Sequence, residues 1–557
     1  MSTVRGRLPV VTDAGAAVFV SGVASMGLEI LSGRIIAPQY GSSIYTWGTI
    51  IGVFLAALSL GYHRGGQRAA EHASTDRMAW ALMATAGYVA AIIFAGDLML
   101  AAVAGLPLPA RFASLPAVTL LFGPPTYLLG YISPYAAELA EADGVGQASG
   151  HVYAVGTVGS ILGAFGTTFL LIPTLSVEYI GLVFGILLVG TAVYLSYPPL
   201  SGMTARSLAV AVLLVLAATS GSFGFAVEGR VLYETQTPYQ ELEVTQINDT
   251  RTLYLDDQQH SAMDVDRPTR HVFEYTRYFH LPYLLADDPD DIDRVLFIGG
   301  GGFTGPKRFV EEYDATVDVV EIDPEVIDVA KEYFAVEESD QLNIYQGDGR
   351  RYLRETNRTY DLIVLDAYKK DKVPFQLTTV EFFELAESQL SADGMLYANV
   401  ISAESGPASK FYRAEYRTMS EVFPQVYTFP TVGGSIVQNI QLVATRNDTR
   451  VSEAALRARE ERRDIGIDLS FEVRNLREEP PPTDDVPVLR DDRAPVDSLL
   501  DPMVGQRYVV QETTRNGTST ASPAIEPPAR SPTATVGART VPLPTDRTGP
   551  AARVSGV

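Results

Sequence analysis

Seven long apolar runs, separated by short polar breaks, fill the first 227 residues and restrict this chain more than any other feature. They are Ala14–Ile36, Ile44–Tyr62, Met78–Ala104, Phe112–Ala137, Val152–Pro173, Val177–Tyr197 and Ser207–Val227. A run of about 20 residues, rising ~1.5 Å per residue as a helix, crosses the roughly 30 Å hydrocarbon core of a bilayer. Buried core helices could account for one or two such runs, but hardly for all of them. The pattern predicts a multi-pass bundle in the cell membrane, and the six runs after the first argue against a cleaved signal peptide.

Charge divides the chain at the same place. Met1 to Phe225 holds nine acidic residues and eight arginines, whereas the remainder holds 57 acidic and 35 basic residues, so nearly all of the net −23 lies in the second part. A nucleic-acid partner needs a basic face to displace counterions, and none is visible. The absence of cysteine excludes disulfides, thiolate catalysis and cysteine-ligated metal sites. Lysine supplies only six of the 43 basic residues. An acidic, lysine-poor surface suits a salt-rich cytoplasm that screens its self-repulsion, which predicts a halophilic source.

Inside the apolar part, Glu29, Arg34 and Asp97 are charges at membrane depth or close to it, and such charges often line a polar cavity. The plainer alternative is that Glu29 and Arg34 pair with each other or snorkel to the interface. Gly156, Gly159, Ser160 and Gly163 form a small-residue stripe that predicts close helix packing. Gly123-Pro124-Pro125 marks the run most prone to a break. Orientation stays open. Seven spans with arginines at positions 5, 7, 64, 68, 77 and 206 place the acidic part outside, and four Asn-x-Thr sequons agree.

From Glu228 the pattern changes to short β-type runs, Tyr239–Val244 and Thr252–Leu255, and then to alternating strands and helices. The strands expected are Arg294–Ile298, Val317–Glu321, Leu342–Tyr345, Asp361–Asp366 and Met395–Val400, with helices between them. Such alternation predicts a parallel, doubly wound α/β sheet with its sites at the carboxyl ends of the strands. The domain expectation is a transmembrane part over 1–227, a small β module over 228–290 and an α/β domain over 291–450. A partly ordered extension would cover 451–511 and a disordered tail 512–557.

Gly299-Gly300-Gly301-Gly302 follows the first buried strand, so the backbone can approach a ligand without a Cβ in the way. Glu321, at the end of the second strand, can accept hydrogen bonds from both ribose hydroxyls. Asp348, in Gly347-Asp348-Gly349, and Asp366 end the third and fourth strands, although either could be a helix N-cap. Together these residues describe an adenine-nucleoside site. The lack of a Gly-Lys-Ser/Thr loop disfavours a phosphate-rich ligand, and the spacing of His260, His271 and His280 does not suit a metal.

Thr237 to about Thr445 resembles spermidine synthase, an aminopropyltransferase with a class I methyltransferase-like, Rossmann-like fold. The matching pieces are Tyr239-Gln240, Leu253 to Asp256, Val295 to Gly301, Glu321-Ile322-Asp323, Gly347 to Gly349 and Tyr360 to Asp366. The first part is similar to the multi-span segment fused to such domains, at Gly22 to Glu29, Gly41 to Ser43 and Val155 to Gly163. The resemblance implies transfer from decarboxylated S-adenosylmethionine to an amine, without a metal, and a homo-oligomer. Gln240 and Glu321 would contact the ribose, Gly299, Gly300, Gly301 and Gly349 would line the nucleoside, Asp348 would read the adenine amino group, and Asp366 would deprotonate the amine.

The departures concern the acceptor. The family's Asp after the three glycines is Gly302 here, and its second acid, three residues beyond the catalytic one, is Lys369, with Lys370 and Lys372 beside it. A late tyrosine is replaced by Val432, and a Tyr-His-Glu run by Glu274-Tyr275-Thr276. Three lysines would repel a diamine and invite an anionic acceptor such as a lipid headgroup, or else form a solvated loop. Asp491-Asp492-Arg493-Ala494-Pro495 resembles a late Asp-Asp-x-x-Pro element of the fused proteins, with no role assigned to it and a fold back over the site as the expectation. Three functions therefore stay open: an aminopropyltransferase, a methyltransferase that uses S-adenosylmethionine on a membrane-associated acceptor, and a polyamine or solute transporter or sensor.

Overall fold

A computed structural model describes residues 13–40, 43–104, 106, 108–140, 145–196, 201–219, 229–256, 258–370, 372–504 and 506–513. The N-terminal part consists of helices α1 (Asp13–Tyr40), α2 (Ile44–His72), α3 (Thr75–Ala104), α4 (Ser114–Leu129), α5 (Ile132–Leu139), α6 (Val145–Gly166), α7 (Val177–Leu195) and α8 (Ser201–Thr219). By length and composition, six segments can cross a membrane: Asp13–Ala37, Ile44–His72, Thr75–Val103, Ser114–Leu139, Gly146–Leu171 and Val177–Leu195. The seventh expected run begins within α8, and its residues 220–227 lie outside the described ones. Large apolar side chains such as Leu55, Phe94, Phe169 and Leu213 point outward.

The small-residue stripe packs α6 onto α1. A Cβ on Gly159 would lie 2.2 Å from the Phe19 carbonyl oxygen, and one on Gly163 2.3 Å from that of Val23. The expected break at Gly123-Pro124-Pro125 does not occur, and α4 runs through both prolines. Pro124 has no N–H for the Leu120 carbonyl four residues back, and the Tyr88 hydroxyl donates to that oxygen instead, at 2.7 Å. The chain turns later, at Gly130, where α4 passes within van der Waals reach of Gly61 of α2.

Strands β1 (Arg230–Gln236), β2 (Glu241–Ile247), β3 (Thr250–Leu255) and β4 (Gln258–Asp264) form an antiparallel meander. After a buried 3₁₀ segment, Glu274–His280, and helix α9 (Leu281–Leu285), the α/β part begins. It runs β5 (Arg294–Ile298), α10 (Thr304–Tyr313), β6 (Thr316–Glu321), α11 (Pro324–Tyr333), β7 (Leu342–Gln346), α12 (Gly349–Glu355), β8 (Tyr360–Leu365), α13 (Val380–Ser388) and β9 (Leu390–Ser402). Helix α14 (Lys410–Met419) and strands β10 (Gln425–Pro430) and β11 (Gln438–Thr445) follow.

The sheet order is β10-β11-β9-β8-β5-β6-β7, and β5 pairs with both β6 and β8 in parallel, so the order reverses beside β5. A crevice at such a reversal is where open α/β sheets bind ligands. The sheet is not wholly parallel as expected. β11 runs antiparallel to β9 and β10 antiparallel to β11. Gln438, Asn439 and Gln441 interrupt the apolar pattern of β11, yet all three are buried and hydrogen-bonded, so the strand reads as polar while lying in the core.

Among the described residues after Arg450, regular structure continues to Thr513. Helices α15 (Glu453–Glu460), α16 (Ser470–Val473) and α17 (Val496–Leu500) lie on a segment that buries Leu456, Leu469, Val473, Leu489 and Leu500 in the main core. Arginine–carboxylate clamps fasten it, including Arg350 to Asp491 and Arg277 to Glu472. Its apolar anchors are too widely spaced to show a period. The expected tail, apart from Glu512 and Thr513, falls outside the described residues.

The two parts touch. Arg34 of α1 donates to the Thr237 carbonyl rather than pairing with Glu29. The Ile44 N–H donates to Asp497 at 3.0 Å, and Tyr45 shares a 2.9 Å hydrogen bond with Ser498.

Candidate active site

At the carboxyl ends of β5, β6, β7 and β8 lies a cleft with about 180 Å³ of solvent space. Its floor is the glycine loop. Gly299 has φ +99° and Gly301 φ +49°, and a Cβ on Gly299 would stand 2.3 Å from the Asp366 carbonyl oxygen. Only glycine fits a chain that turns so close to the neighbouring strand end. Gly300 lies behind Phe303, and Gly349 lets α12 start against Ile298, from which its Cβ would be 2.4 Å away. All of these glycines line the cleft.

Glu321 lies at its inner wall, with one carboxylate oxygen accepting the Gly300 N–H at 2.8 Å and the other the Asp323 N–H at 3.0 Å. Burial raises its pKa against the pull of these N–H groups. Each oxygen keeps a lone pair for a further donor, as a ribose diol requires. Gln240 reaches the cleft from the meander. Asp323, in sequence no more than the last residue of Glu321-Ile322-Asp323, accepts from its carboxamide at 3.2 Å and from Thr237 at 2.7 Å. Asp348 both lines the cleft and caps α12, accepting from the Arg351 N–H at 2.8 Å, so the cap and cleft readings hold together.

Asp366 follows β8. Burial pushes its carboxyl up to about 6, although the Asn399 amide donates to Oδ1 at 2.8 Å and favours the charged form. Among the described residues Oδ2 has no hydrogen-bond partner. Such a carboxylate, poised near neutrality, can accept a proton from an amine at the cleft. Asn399 and Tyr508 line the same cleft without having stood out in the sequence, because polar residues on β9 and in a C-terminal segment carry no local motif, and Tyr275, noted in the sequence only as part of the run that replaces Tyr-His-Glu, lines it too.

The lysines do not converge. Lys369 lines the cleft but forms a 2.7 Å ion pair with Asp256, which holds that carboxyl below the usual range despite burial. Lys370 donates to the Gln506 carbonyl at 2.8 Å and Lys372 to the Tyr239 carbonyl at 3.1 Å. They act as ties between segments rather than as one basic patch. A Cβ on Gly302 would stand 2.4 Å from the Ser261 hydroxyl, so Ser261 occupies the space an acid there would need. Val432 does not line the cleft. Asp491 also lies elsewhere, gripped by both Arg350 guanidinium nitrogens at 2.7 and 2.6 Å. His271 and His280 share a buried 2.8 Å hydrogen bond, and among the described residues no group of three or more His, Asp or Glu is arranged to hold a metal.

Residues 273–444 match the spermine/spermidine synthase domain. A polyamine aminopropyltransferase of Chromobacterium violaceum is 30% identical over 237 residues, which cover 42% of this chain and 86% of that protein. The chain belongs to the polyamine aminopropyltransferase family. A second aminopropyltransferase, from Vibrio vulnificus, is 29% identical over 41% of this chain and 77% of its own length. The crystal structure of a probable spermidine synthase from Corynebacterium glutamicum is 22% identical, with a TM-score of 0.37, over 42% of this chain and 88% of that one. The aminopropyltransferase domain thus carries Glu321, Asp348, Asp366 and Asn399 inside the matched span, while Gln240 precedes it and Tyr508 follows it.

Proposed function

We propose that this chain is a membrane-embedded transferase that moves the aminopropyl group of decarboxylated S-adenosylmethionine to an amine whose far end bears no second positive charge. Asp366 carries the reading. It is a half-buried carboxylate at the strand-order reversal, with a pKa pushed up to about 6 and one oxygen available. The acceptor nitrogen attacks the methylene carbon beside the sulfonium, the carbon–sulfur bond breaks with its electron pair going to sulfur, methylthioadenosine leaves, and the nitrogen's proton passes to Asp366. The sulfonium is its own leaving group. Gln240, Glu321, Asp348 and the glycine loop would hold the nucleoside.

The acceptor class follows from charge. The carboxylates lining the cleft are Glu321, Asp348 and Asp366. With the first two on the nucleoside, none is left for a distant ammonium, which would instead meet the Lys369–Asp256 pair. An amine on an apolar body fits better, and the outward apolar side chains of α2, α3, α6 and α8 support delivery from a membrane. Ser261 in the space beside Gly302 favours a second reading, methyl transfer from S-adenosylmethionine, because no acid stands there for the aminopropyl ammonium.

The test uses the full chain in detergent, offered either sulfonium donor with octylamine or 1,4-diaminobutane, and identifies the nucleoside product by mass spectrometry. Methylthioadenosine formed with octylamine in excess over the diamine is expected. S-adenosylhomocysteine as the sole product would replace aminopropyl transfer with methyl transfer.

A further inference from the structure

The C-terminal segment Gln506–Thr513 lies outside the span matched by the family, yet its Tyr508 lines the cleft. It is fixed along both edges. The Val509 N–H donates to the Val437 carbonyl at 3.0 Å, the Glu274 N–H to the Gln511 carbonyl at 2.8 Å, and the Thr513 N–H to the Val272 carbonyl at 2.8 Å. Tyr508, 5% exposed, is thereby set into the wall of the cleft.

From its hydroxyl a chain of hydrogen bonds leads to the reacting carboxylate. Tyr508 donates to Asn439 Oδ1 at 2.7 Å, Asn439 Nδ2 donates to Asn399 Oδ1 at 2.9 Å, and Asn399 Nδ2 donates to Asp366 Oδ1 at 2.8 Å. The polarity is forced from the inner end. A carboxylate accepts only, so Asn399 must turn its amide nitrogen toward Asp366 and its oxygen toward Asn439. Asn439 must then present nitrogen to Asn399, which leaves its own oxygen, buried at 2% exposure, in need of a donor. Tyr508 supplies that donor from 69 residues along the chain.

We propose that Tyr508 is a positioning residue for Asp366. Acting through Asn439 and Asn399, it locks both amides so that one carboxylate oxygen is held and the other is presented to the acceptor amine. The proposal rests on the role given to Asp366 above. The titratable groups beside Asp366 are Tyr275 from the 3₁₀ segment and Tyr397 from β9, both kept neutral by burial, and Lys369, the lysine that lines the cleft, is paired with Asp256. A change at Tyr508 therefore reaches Asp366 through the amides rather than through a new charge.

The test compares the full-length wild type with Tyr508→Phe in detergent. With decarboxylated S-adenosylmethionine and octylamine, kcat is expected to fall about tenfold at pH 7 while KM for the sulfonium stays within about twofold. The acidic limb should move up by about one pH unit, because a weakened amide donor lets Asp366 hold its proton more tightly. A role in stability alone would lower Tm and leave that limb in place. Independently of turnover, pH-difference infrared spectra should show the carboxyl band that Asp366→Asn removes titrating at higher pH in Tyr508→Phe. A wild type that makes no methylthioadenosine refutes the aminopropyl reading but leaves the infrared comparison to judge Tyr508. An unshifted band overturns the proposal. If Tyr508→Phe fails to fold, Asn439→Ala cuts the same chain one link further in and should give the same displacement. Misfolding of both variants assigns the segment to fold maintenance and overturns the proposal as well.

Discussion

At position 302 the cleft can be converted toward binding an ammonium, and the contacts set the size of the effect. A Cβ there would meet Ser261 Oγ at 2.4 Å, and Ser261 Cβ and Phe334 Cδ1 at 3.0 Å each. Gly302→Asp alone overpacks this corner and should cost about 1–3 kcal/mol of stability. Ser261→Gly removes two of the three contacts, for about 0.5–1 kcal/mol of strand stability opposite Leu253. In the double variant the new carboxylate can take a charge-assisted hydrogen bond from the aminopropyl ammonium, worth about 1.5–3 kcal/mol. KM for decarboxylated S-adenosylmethionine should then fall about 10- to 150-fold. S-adenosylmethionine carries a carboxylate at that end and should gain nothing. The assay is the ratio of the two KM values, read by nucleoside product in detergent, with methylthioadenosine binding as the check on folding. A folded double variant whose ratio matches the wild type would refute the idea that Ser261 stands where the ammonium's partner would be.

Because Asp366 must be ionised to accept a proton and titrates near pH 6, wild-type turnover should fall about tenfold per pH unit below that value. Asp366→Asn should lose about 10²- to 10⁴-fold in kcat at pH 7.5, and a variant within twofold of wild type would remove Asp366 from the mechanism. Gly299→Ala forces a side chain into φ +99° and against the Asp366 carbonyl, so it should cost more than about 1 kcal/mol and abolish methylthioadenosine binding by calorimetry. Glu415, fully buried beside the Tyr368 hydroxyl at 2.7 Å, has a pKa raised well above 4.5 by burial. Its native state binds a proton more tightly than the unfolded chain, so its stabilisation is complete below pH 4.5 and lost as pH rises through the raised value. Glu415→Gln should flatten that decline in thermal melts between pH 5 and 8, and an unchanged slope would contradict the assignment.

What could be read in advance was what local sequence determines. A buried strand that ends in four glycines stands out, and so do strand ends marked by Glu321, Asp348 and Asp366, because a charge that closes an apolar run sits where a parallel sheet opens to its ligand. Local sequence is silent where partners come from far along the chain. Lys369 looks like part of a basic cluster until Asp256, 113 residues earlier, is found 2.7 Å from its ammonium. β11 is missing from the expected strands, and its Asn and Gln side chains, which interrupt its apolar pattern, are paired inside the sheet. Residues 451–513 look weakly structured because each apolar anchor, such as Leu469 or Leu489, is isolated in sequence and buried only against distant elements.

The same C-terminal segment joins the two parts of the molecule. Asp497 and Ser498 hold the N-terminal end of α2, Gln506 takes the Lys370 ammonium, and Tyr508 ends the amide chain at Asp366, all within twelve residues. On the opposite side of the contact, Arg34 of α1 holds Thr237, whose hydroxyl also binds Asp323, the residue that steadies Gln240. A rigid displacement of α1 or α2 would therefore act on both the proposed ribose-binding side and the proposed base through short hydrogen-bonded paths. The cleft-lining Gln240 lies three residues from Thr237, which Arg34 of α1 holds, so if the bundle sits in a bilayer as proposed, this wall of the cleft is close to a helix end and an amine with an apolar body would have a short path to it. A diamine from solution gains nothing from that placement, and the Lys369–Asp256 pair offers it no net charge to bind. The location of the cleft and its charge thus favour the same class of acceptor on independent grounds.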